Sequence, residues 1–183
     1  MDHYIDIQMQ PDDEMRENVL LNKVYSKLHK ALFSLKANDI GVSFPEYRVK
    51  LGGTLRLHST AARLTELQQL NWLMGLSGYC KNTAIQPIPA HVMYRTVSRI
   101  QATMTQAKLK RLIKRRTITE DRVKQYKAKM FNQGLDNPYL ELESITNGHQ
   151  YRRYLAFDEL CEIARQGEFD YFGLSKTATI PCF

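Results

Sequence analysis

Hydrophobic and polar residues follow regular patterns along the first half of the chain, and these patterns predict its main elements. Strict alternation over residues 3–9, and again over 54–58, predicts two half-buried strands. Apolar residues recur at the helical period over residues 18–35. Ser59-Thr60 then resembles an N-terminal cap, which predicts a second helix running to about residue 76.

Two shorter apolar runs complete this half of the chain. Residues 40–44 predict a short strand, and residues 85–92 predict another, which Pro87 and Pro89 confine to an edge or a bulge. The resulting order is β-α-β-β-α-β, the split βαβ order of ferredoxin-like folds, which RNA-recognition domains share. We therefore expect residues 1–93 to form a ferredoxin-like domain.

The second half of the chain predicts a further set of short elements around two helices. Residues 97–101 predict a strand, residues 105–116 a basic helix, and the sequence from Thr117 to Met130 a partner helix opened by a capping box. Further short strands are predicted at residues 140–144, 150–156, 169–172 and 179–183. The predicted fold class is therefore α+β, with a C-terminal α/β domain over residues 94–183.

Positive charge is concentrated in this second half. The chain has a formal net charge of +7, and residues 95–129 carry twelve Lys and Arg against two acids, which gives that segment +10 and leaves −3 for the rest. On a helix over 105–116, an apolar stripe of Leu109, Leu112 and Ile113 faces away from an arc of cations. That arc holds Lys108, Lys110, Arg111, Lys114 and Arg115.

A helix face that holds only cations indicates an anionic partner. Such a face repels itself unless negative charge lies against it, whereas a helix that only confers solubility mixes acids with bases. We expect nucleic acid, because the stripe lacks the bulky apolar side chains of membrane-inserting helices. An anionic membrane and a plain solvated face are the alternatives. Arg116 falls beside the stripe, so either the helix has ended there or this arginine points elsewhere.

The composition also bears on the cellular compartment. The chain has no apolar run long enough to cross a bilayer, and its N-terminus lacks the basic and apolar regions of a signal peptide. Three distant cysteines fit reduced thiols. We therefore expect a cytoplasmic protein without a membrane partner.

The sequence shows no local metal or cofactor motif, although ligands distant in sequence can converge in space. The histidines do not lie at ligand spacing, and phosphate-loop, nucleophile-elbow and CxxC motifs are missing from the sequence. RNA carries its own nucleophile, the 2′-hydroxyl, and a histidine can accept the proton of that group near neutral pH. His29 stands out because it lies at the edge of the apolar helix face, near Tyr25 and between Lys27 and Lys30. From the residues alone, a boundary histidine with a packed apolar body and a solvated polar tip is the favoured reading.

Several short motifs occur together in a recognisable order. They are Lys-Leu-His-Lys-Ala-Leu at 27–32, Ile-Gly-Val-Ser-Phe-Pro at 40–45, Val-Ser-Arg-Ile-Gln-Ala at 97–102, the basic helix, and Gly-Leu-Ser-Lys at 173–176. With these motifs the whole chain resembles the CRISPR repeat-processing endoribonucleases of type I-F systems. The resemblance implies a metal-independent nuclease that binds the repeat RNA hairpin and cuts at the base of its stem. It further implies a 2′,3′-cyclic phosphate product, no cofactor, and continued residence in a surveillance complex with other subunits.

The resemblance also implies roles for individual residues. His29 matches the catalytic histidine, and Ser144 matches the serine that positions the attacking nucleotide. Arg99 and Gln101 match the pair that reads base edges at the bottom of the stem, and Tyr151 stands where the family has a stacking phenylalanine. The RNA-binding residues expected on the basic helix are Lys108, Arg111, Lys114, Arg115 and Arg116.

The chain departs from the family pattern at two positions. Phe172 stands where the family's best-known form has a tyrosine, so it can pack against the imidazole but cannot donate a hydrogen bond. Leu112 replaces a frequent arginine on the basic helix, so the grip on phosphate is expected to be rearranged. These departures leave one alternative to a nuclease open, a non-catalytic RNA-hairpin-binding subunit. The basic helix leaves a second alternative open, a double-stranded DNA-binding protein that uses this helix in the major groove.

Overall fold

The computed structural model describes residues 1–100, 106–132, 137–144 and 148–183. These residues form four α-helices and ten β-strands. The helices are α1 (Glu17–Ser34), α2 (Ala61–Gln69), α3 (Gln106–Lys114) and α4 (Glu120–Asn132). The strands are β1 (His3–Met9), β2 (Gly41–Ser43), β3 (Thr54–Ser59), β4 (Cys80–Asn82), β5 (Gln86–Pro87), β6 (Met93–Arg95), β7 (Val97–Ile100), β8 (Tyr139–Glu143), β9 (Gln150–Phe157) and β10 (Ile180–Cys182). The α+β class is confirmed.

The N-terminal sheet is built around β1. Its strand order is β2-β3-β1-β4, with β5 also pairing with β1, and every pairing is antiparallel. Ile5 faces Leu57 and Ile7 faces Leu55 across the β1–β3 pair. All four side chains are buried, so the alternation in the sequence reports one apolar face of this sheet.

The opposite face of the same sheet is covered by the end of the chain. Arg56 makes a two-pronged ion pair with Asp6, its neighbour across the strands, at 2.6 and 2.9 Å. The Arg56 guanidinium also lies over the rings of Tyr4 and Phe183, 4.5 and 4.2 Å from their centroids. Strand β10 pairs with β6 in a separate two-stranded sheet. Arg56 Nη1 donates to the Phe183 carbonyl at 3.1 Å, and this bond anchors the C-terminus at the face of the N-terminal sheet.

The second half of the chain contributes a three-stranded antiparallel sheet of order β7-β9-β8. Helix α1 packs against β8, and the Asn22 side chain accepts a hydrogen bond from the Glu141 amide at 3.1 Å. One cluster of buried residues contains Leu28 from α1 together with Leu140 and Leu155 from this sheet. The core is therefore continuous from the first half of the chain to the second.

Most of the predicted elements are confirmed, and four need correction. Helix α2 ends at Gln69 and not near 76, because Asn71 adopts a left-handed φ of 47° and its amide closes a short turn onto Gln68. In the region predicted as a strand over 85–92, only Gln86–Pro87 pairs with β1. The partner helix begins at Glu120, and the Thr117 hydroxyl donates to the Leu112 carbonyl where a capping box was expected.

The fourth correction concerns residues 169–172, which form a turn and not a strand. The Asp170 carboxylate accepts hydrogen bonds from the amides of Phe172 and Leu174, at 2.9 and 3.0 Å. Gly173 follows with a φ of 70° and donates its amide to the Asp170 carbonyl. The Gly173 carbonyl accepts from the Val42 amide at 3.0 Å. This turn, the Asp170–Gly173 turn, therefore lies directly against β2.

Within the described ranges, no helix combines the length and the apolar character that crossing a membrane requires.

We expect Gly173→Ala to destabilise the protein, because a Cβ at this position would lie 2.5 Å from Val42 Cγ1 on a backbone of positive φ. The expected loss is about 1–3 kcal/mol in the free energy of unfolding, measured by urea denaturation. Gly78→Ala is the matched control, because a Cβ at Gly78 meets no atom within 4 Å. Equal stabilities for the two variants would contradict the packing of the turn on β2.

Candidate active site and nucleic-acid interface

Two side chains of α1 hold the Asp170–Gly173 turn. The Tyr25 hydroxyl donates to the Phe172 carbonyl at 2.7 Å, and His29 Nδ1 lies 2.8 Å from the Tyr171 carbonyl. Tyr25 and His29 are four residues apart, so they lie on one face of the helix and can reach two consecutive carbonyls. A carbonyl oxygen only accepts hydrogen bonds, so Nδ1 of His29 carries the proton and Nε2 is the nitrogen able to accept one.

The Tyr25 hydroxyl is suited to a permanent donor role. The side chain is completely buried. Burial raises the pKa of Tyr25 well above its ordinary value, the Asp170 carboxylate raises it further, and the Arg153 guanidinium opposes them. The hydroxyl therefore keeps its proton and continues to hold the Phe172 carbonyl at all pH values of interest.

Phe172 lies face to face with His29. Their ring centroids are 3.6 Å apart and the ring planes differ by 10°. The Tyr171 ring turns away and contacts Phe33 edge-on at 5.4 Å. The half-buried His29 is thus fixed by one hydrogen bond in the plane of its ring and one aromatic contact on its face.

Arg153 was not predicted as a site residue, yet it joins this group. Its guanidinium carbon lies 3.4 Å from the Phe172 ring centroid and 6.0 Å from that of Tyr151. Arg153 is two residues from both Tyr151 and Leu155 on β9, and the Leu155 side chain is fully buried. Alternate residues of a strand face the same side, so Arg153 is predicted to face inward together with Leu155. This position of a cation was the signal in the sequence that could have identified Arg153.

Ser144 lies at the end of the β8–β9 hairpin. Its amide donates to the His149 carbonyl and its carbonyl accepts from the Gly148 amide, at 2.9 and 2.8 Å. The register pairs Leu142 with Tyr151, so Ser144 leaves the sheet near Tyr151. In the described part of the chain, no hydrogen bond joins Ser144 to His29.

Arg99 is exposed on β7 and borders a groove of about 720 Å³. The other wall of this groove includes Asp170, Ser175 and Lys176. The Ser175 amide donates to the Val97 carbonyl at 3.0 Å, which holds that wall against β7. Arg99 therefore shares a groove with the turn that holds His29. Gln101, the predicted partner of Arg99, lies outside the described residues.

Helix α3 carries the predicted basic face. Leu109 is buried, whereas Ile113 is 48% exposed, so the apolar stripe is only partly covered. The cations at 108, 110, 111, 114 and 115 are all exposed. An exposed face without acids offers a surface of positive potential to a polyanion.

The helix ends before Arg116, which decides between the two alternatives for that residue. Arg116 has a left-handed φ of 52°, and its amide donates to the Ile113 carbonyl. The Thr117 amide donates to the Leu112 carbonyl, which completes a Schellman-type end. Arg116 is exposed and lies beyond the end of the helix.

Two further observations concern other side chains that could carry chemistry. Among the residues that the structure describes, no three His, Cys, Asp or Glu side chains lie close enough to hold a metal ion. His58 is fully buried with Nε2 2.7 Å from the Ser43 hydroxyl, and burial lowers the pKa of His58 to about 3. His58 is therefore neutral and shielded from solvent at neutral pH, whereas His29 reaches the surface.

Comparison with known proteins gives consistent results over the whole chain. A family model described as CRISPR-associated protein (Cas_Csy4) matches residues 4–183. The chain is 36% identical over 184 residues to the CRISPR-associated endonuclease Cas6/Csy4 of Escherichia coli (strain UTI89 / UPEC). It is 35% identical over 187 residues to the protein of the same name from Pseudomonas aeruginosa (strain UCBPP-PA14). Each alignment covers all of this chain and all of its relative.

A solved structure of the CRISPR endoribonuclease Cse3 bound to a 19-nucleotide RNA is a weaker match. It has a TM-score of 0.41 and 13% sequence identity, and the match covers 99% of this chain and all of the other. A likeness at this level carries no conclusion about the site. The family match and the two full-length relatives show that the chain belongs to the Cas_Csy4 family of CRISPR-associated proteins.

Proposed function

We propose that the protein is a metal-independent endoribonuclease that binds the hairpin of CRISPR repeat RNA and cuts at the base of its stem. The observation that carries the proposal is the orientation of His29, whose Nδ1 is occupied by the Tyr171 carbonyl while Nε2 remains able to take a proton. The exposed cationic face of α3 and the endonuclease relatives support it.

The reaction proposed is an internal attack by the RNA. The 2′-hydroxyl before the cut gives its proton to His29 Nε2 and bonds to the adjacent phosphorus. The bond from phosphorus to the 5′-oxygen of the next nucleotide breaks, and that oxygen takes a proton from water, while His29 returns its own proton to the solvent. The products are a 2′,3′-cyclic phosphate and a 5′-hydroxyl. The RNA supplies its own nucleophile, so the protein contributes alignment, a base and positive charge.

The other site residues are assigned to positioning. Arg99 and Gln101 read base edges at the foot of the stem, with the arginine fork directed to a guanine. Tyr151 stacks on a nucleotide beside the stem, and Ser144 positions the attacking sugar. The shared groove of Arg99 and the Asp170–Gly173 turn supports this arrangement, because it brings a base-reading residue towards the loop that holds His29.

Helix α3 is assigned to the phosphate backbone. The major groove of A-form RNA is deep and narrow, so a helix lying along it contacts phosphates and seldom reads bases. Lys108, Arg111, Lys114 and Arg115 supply these contacts from the helix. Arg116, beyond the helix end, reaches a different part of the stem.

We further propose that the N-terminal sheet is a ferredoxin-like unit over residues 1–93, with a hairpin-binding half over 94–183. The observed order β2-β3-β1-β4 and its antiparallel pairing support the first part. The protein acts in the cytoplasm, stays bound to its cleaved product, and joins the other subunits of a type I-F surveillance complex.

Cleavage of the repeat hairpin is expected to persist in EDTA and to stop when the nucleotide before the cut lacks its 2′-hydroxyl. The reason is that the attacking oxygen belongs to that sugar. End-group analysis of the products measures both effects. The control is a hairpin that lacks the 2′-hydroxyl of a nucleotide one position further from the cut. Cleavage of the first deoxy substrate, or dependence on a divalent ion, would contradict the mechanism. Tight binding by the wild-type protein without any product would instead identify a non-catalytic hairpin-binding subunit.

His29→Asn is expected to slow single-turnover cleavage by roughly 10²–10⁴-fold and to leave hairpin affinity unchanged. An asparagine amide can still donate towards the Tyr171 carbonyl, but it cannot take a proton as Nε2 does. His91→Ala, at an exposed loop position, is the control. A nearly normal rate in His29→Asn would remove His29 from the role of base.

Arg115→Ala is expected to weaken hairpin binding and to lower the slope of log affinity against log salt by about 1, as the loss of one phosphate contact requires. Arg48→Ala removes an exposed arginine from the loop between β2 and β3 and serves as the control. Gel shifts over a salt series measure both variants. An unchanged slope would mean that Arg115 does not contact the RNA. In the same gel shifts, a DNA duplex that competes as well as the hairpin RNA would favour a DNA-binding protein.

A further inference from the structure

We propose that Arg153 is a positioning residue for His29, acting through the ring of Phe172. The inference rests on the proposed function, since it assigns a second support to the proposed base. Arg153 does not contact His29, so its effect is transmitted by the aromatic ring that lies between them.

Arg153 is an unusual residue for the interior of the protein. It is only 5% exposed. Its Nε is buried and makes no hydrogen bond within the described ranges of the chain. A buried charge is costly unless something compensates it. The compensation visible here is aromatic, because the guanidinium lies over Phe172 at 3.4 Å and near Tyr151 at 6.0 Å.

The Phe172 ring is enclosed from both sides. The His29 imidazole and the Arg153 guanidinium are each within 4 Å of the same ring centroid, so they cannot share one face without overlapping. They therefore occupy opposite faces, and the two distances, 3.6 and 3.4 Å, place the guanidinium roughly 7 Å from the imidazole. The order of the stack is His29, Phe172, Arg153.

This stack supplies a constraint that the hydrogen bonds do not. The bond from Nδ1 to the Tyr171 carbonyl fixes one atom of the imidazole but leaves the ring free to tilt about it. The backbone of Phe172 is held by hydrogen bonds with Tyr25 and Asp170, whereas its ring is held by contacts alone. These come from the Tyr25 ring at 6.1 Å, the His29 imidazole and the Arg153 guanidinium. Arg153 fills the space behind the Phe172 ring, so that ring cannot turn away from His29, and the direction of Nε2 is fixed as well.

The neighbouring Arg152 provides a comparison on the same strand. It points outward, ion-pairs with Glu141 at 3.1 Å, and lies over the Tyr139 ring at 4.4 Å. Both arginines thus contact an aromatic ring, but only the ring beside Arg153 also contacts a histidine. A positioning role therefore predicts opposite outcomes for the same substitution at two adjacent positions.

The test compares Arg153→Met with Arg152→Met. Methionine keeps an unbranched apolar chain at each site and removes the flat cation. In Arg153→Met the ring-proton chemical shifts of His29 are expected to move downfield, because Phe172 no longer shields the imidazole. Single-turnover cleavage is expected to fall about 10- to 100-fold, as a small misplacement of a catalytic group requires. Affinity for an uncleavable 2′-deoxy hairpin is expected to match the control.

Unchanged His29 shifts in Arg153→Met would overturn the proposal. So would a loss of hairpin affinity at an unchanged cleavage rate, because that result would make Arg153 an RNA contact. The shifts are read in the free protein and need no activity. Suppose that the wild-type protein never cuts RNA but that the His29 shifts still change in Arg153→Met. The positioning role of Arg153 would then stand, and the proposed endonuclease function would be rejected.

A double-mutant comparison tests whether the effect passes through Phe172. If it does, adding Arg153→Met to Phe172→Leu slows cleavage little beyond Phe172→Leu alone. If the double mutant instead slows cleavage by the full product of the two single-mutant factors, the effect of Arg153 does not pass through the Phe172 ring. Should Arg153→Met unfold at the assay temperature, Arg153→Lys takes its place, because it keeps a cation in the interior without the flat guanidinium. Arg153→Lys is expected to fold at the assay temperature and to restore only part of the wild-type cleavage rate.

Discussion

The hydrogen bond between His29 Nδ1 and the Tyr171 carbonyl links the first helix of the chain to its last turn, 142 residues away in sequence. It determines which imidazole nitrogen can take a proton, and it requires the Asp170–Gly173 turn to be in place. That turn in turn depends on the Asp170 carboxylate, the positive φ of Gly173, and the Val42 amide. The proposed chemistry therefore rests on the folding of the whole chain and not on helix α1 alone.

Local patterns in the sequence predict most of the regular elements, and the 169–172 segment shows one way in which they fail. The strands β1 and β3 and the helix α1 have a single buried face, so their periodicity is visible in the sequence. The 169–172 segment also looks strand-like, but its hydrogen bonds go to its own Asp170 and to Asn38. No pattern within the segment reports such a distant partner.

The candidate site was predicted in part by the same logic. The position of His29 at the edge of an apolar helix face and the cationic face of α3 follow from spacing. The contact between Phe172 and His29, and the place of Arg153 behind Phe172, depend on how β9 packs against the C-terminal turn. Arg153 was overlooked because arginine in a strand is usually exposed. Here two aromatic rings make its burial tolerable.

The central claim is that the protein presents His29 with a bare Nε2, and the ¹⁵N spectrum of the His29 ring in the free protein tests it most directly. At a pH where the imidazole is neutral, the account predicts a proton on Nδ1 and none on Nε2, since the Tyr171 carbonyl can only accept. A neutral ring with its proton on Nε2 would contradict the account, because the nitrogen assigned as the base would already be occupied.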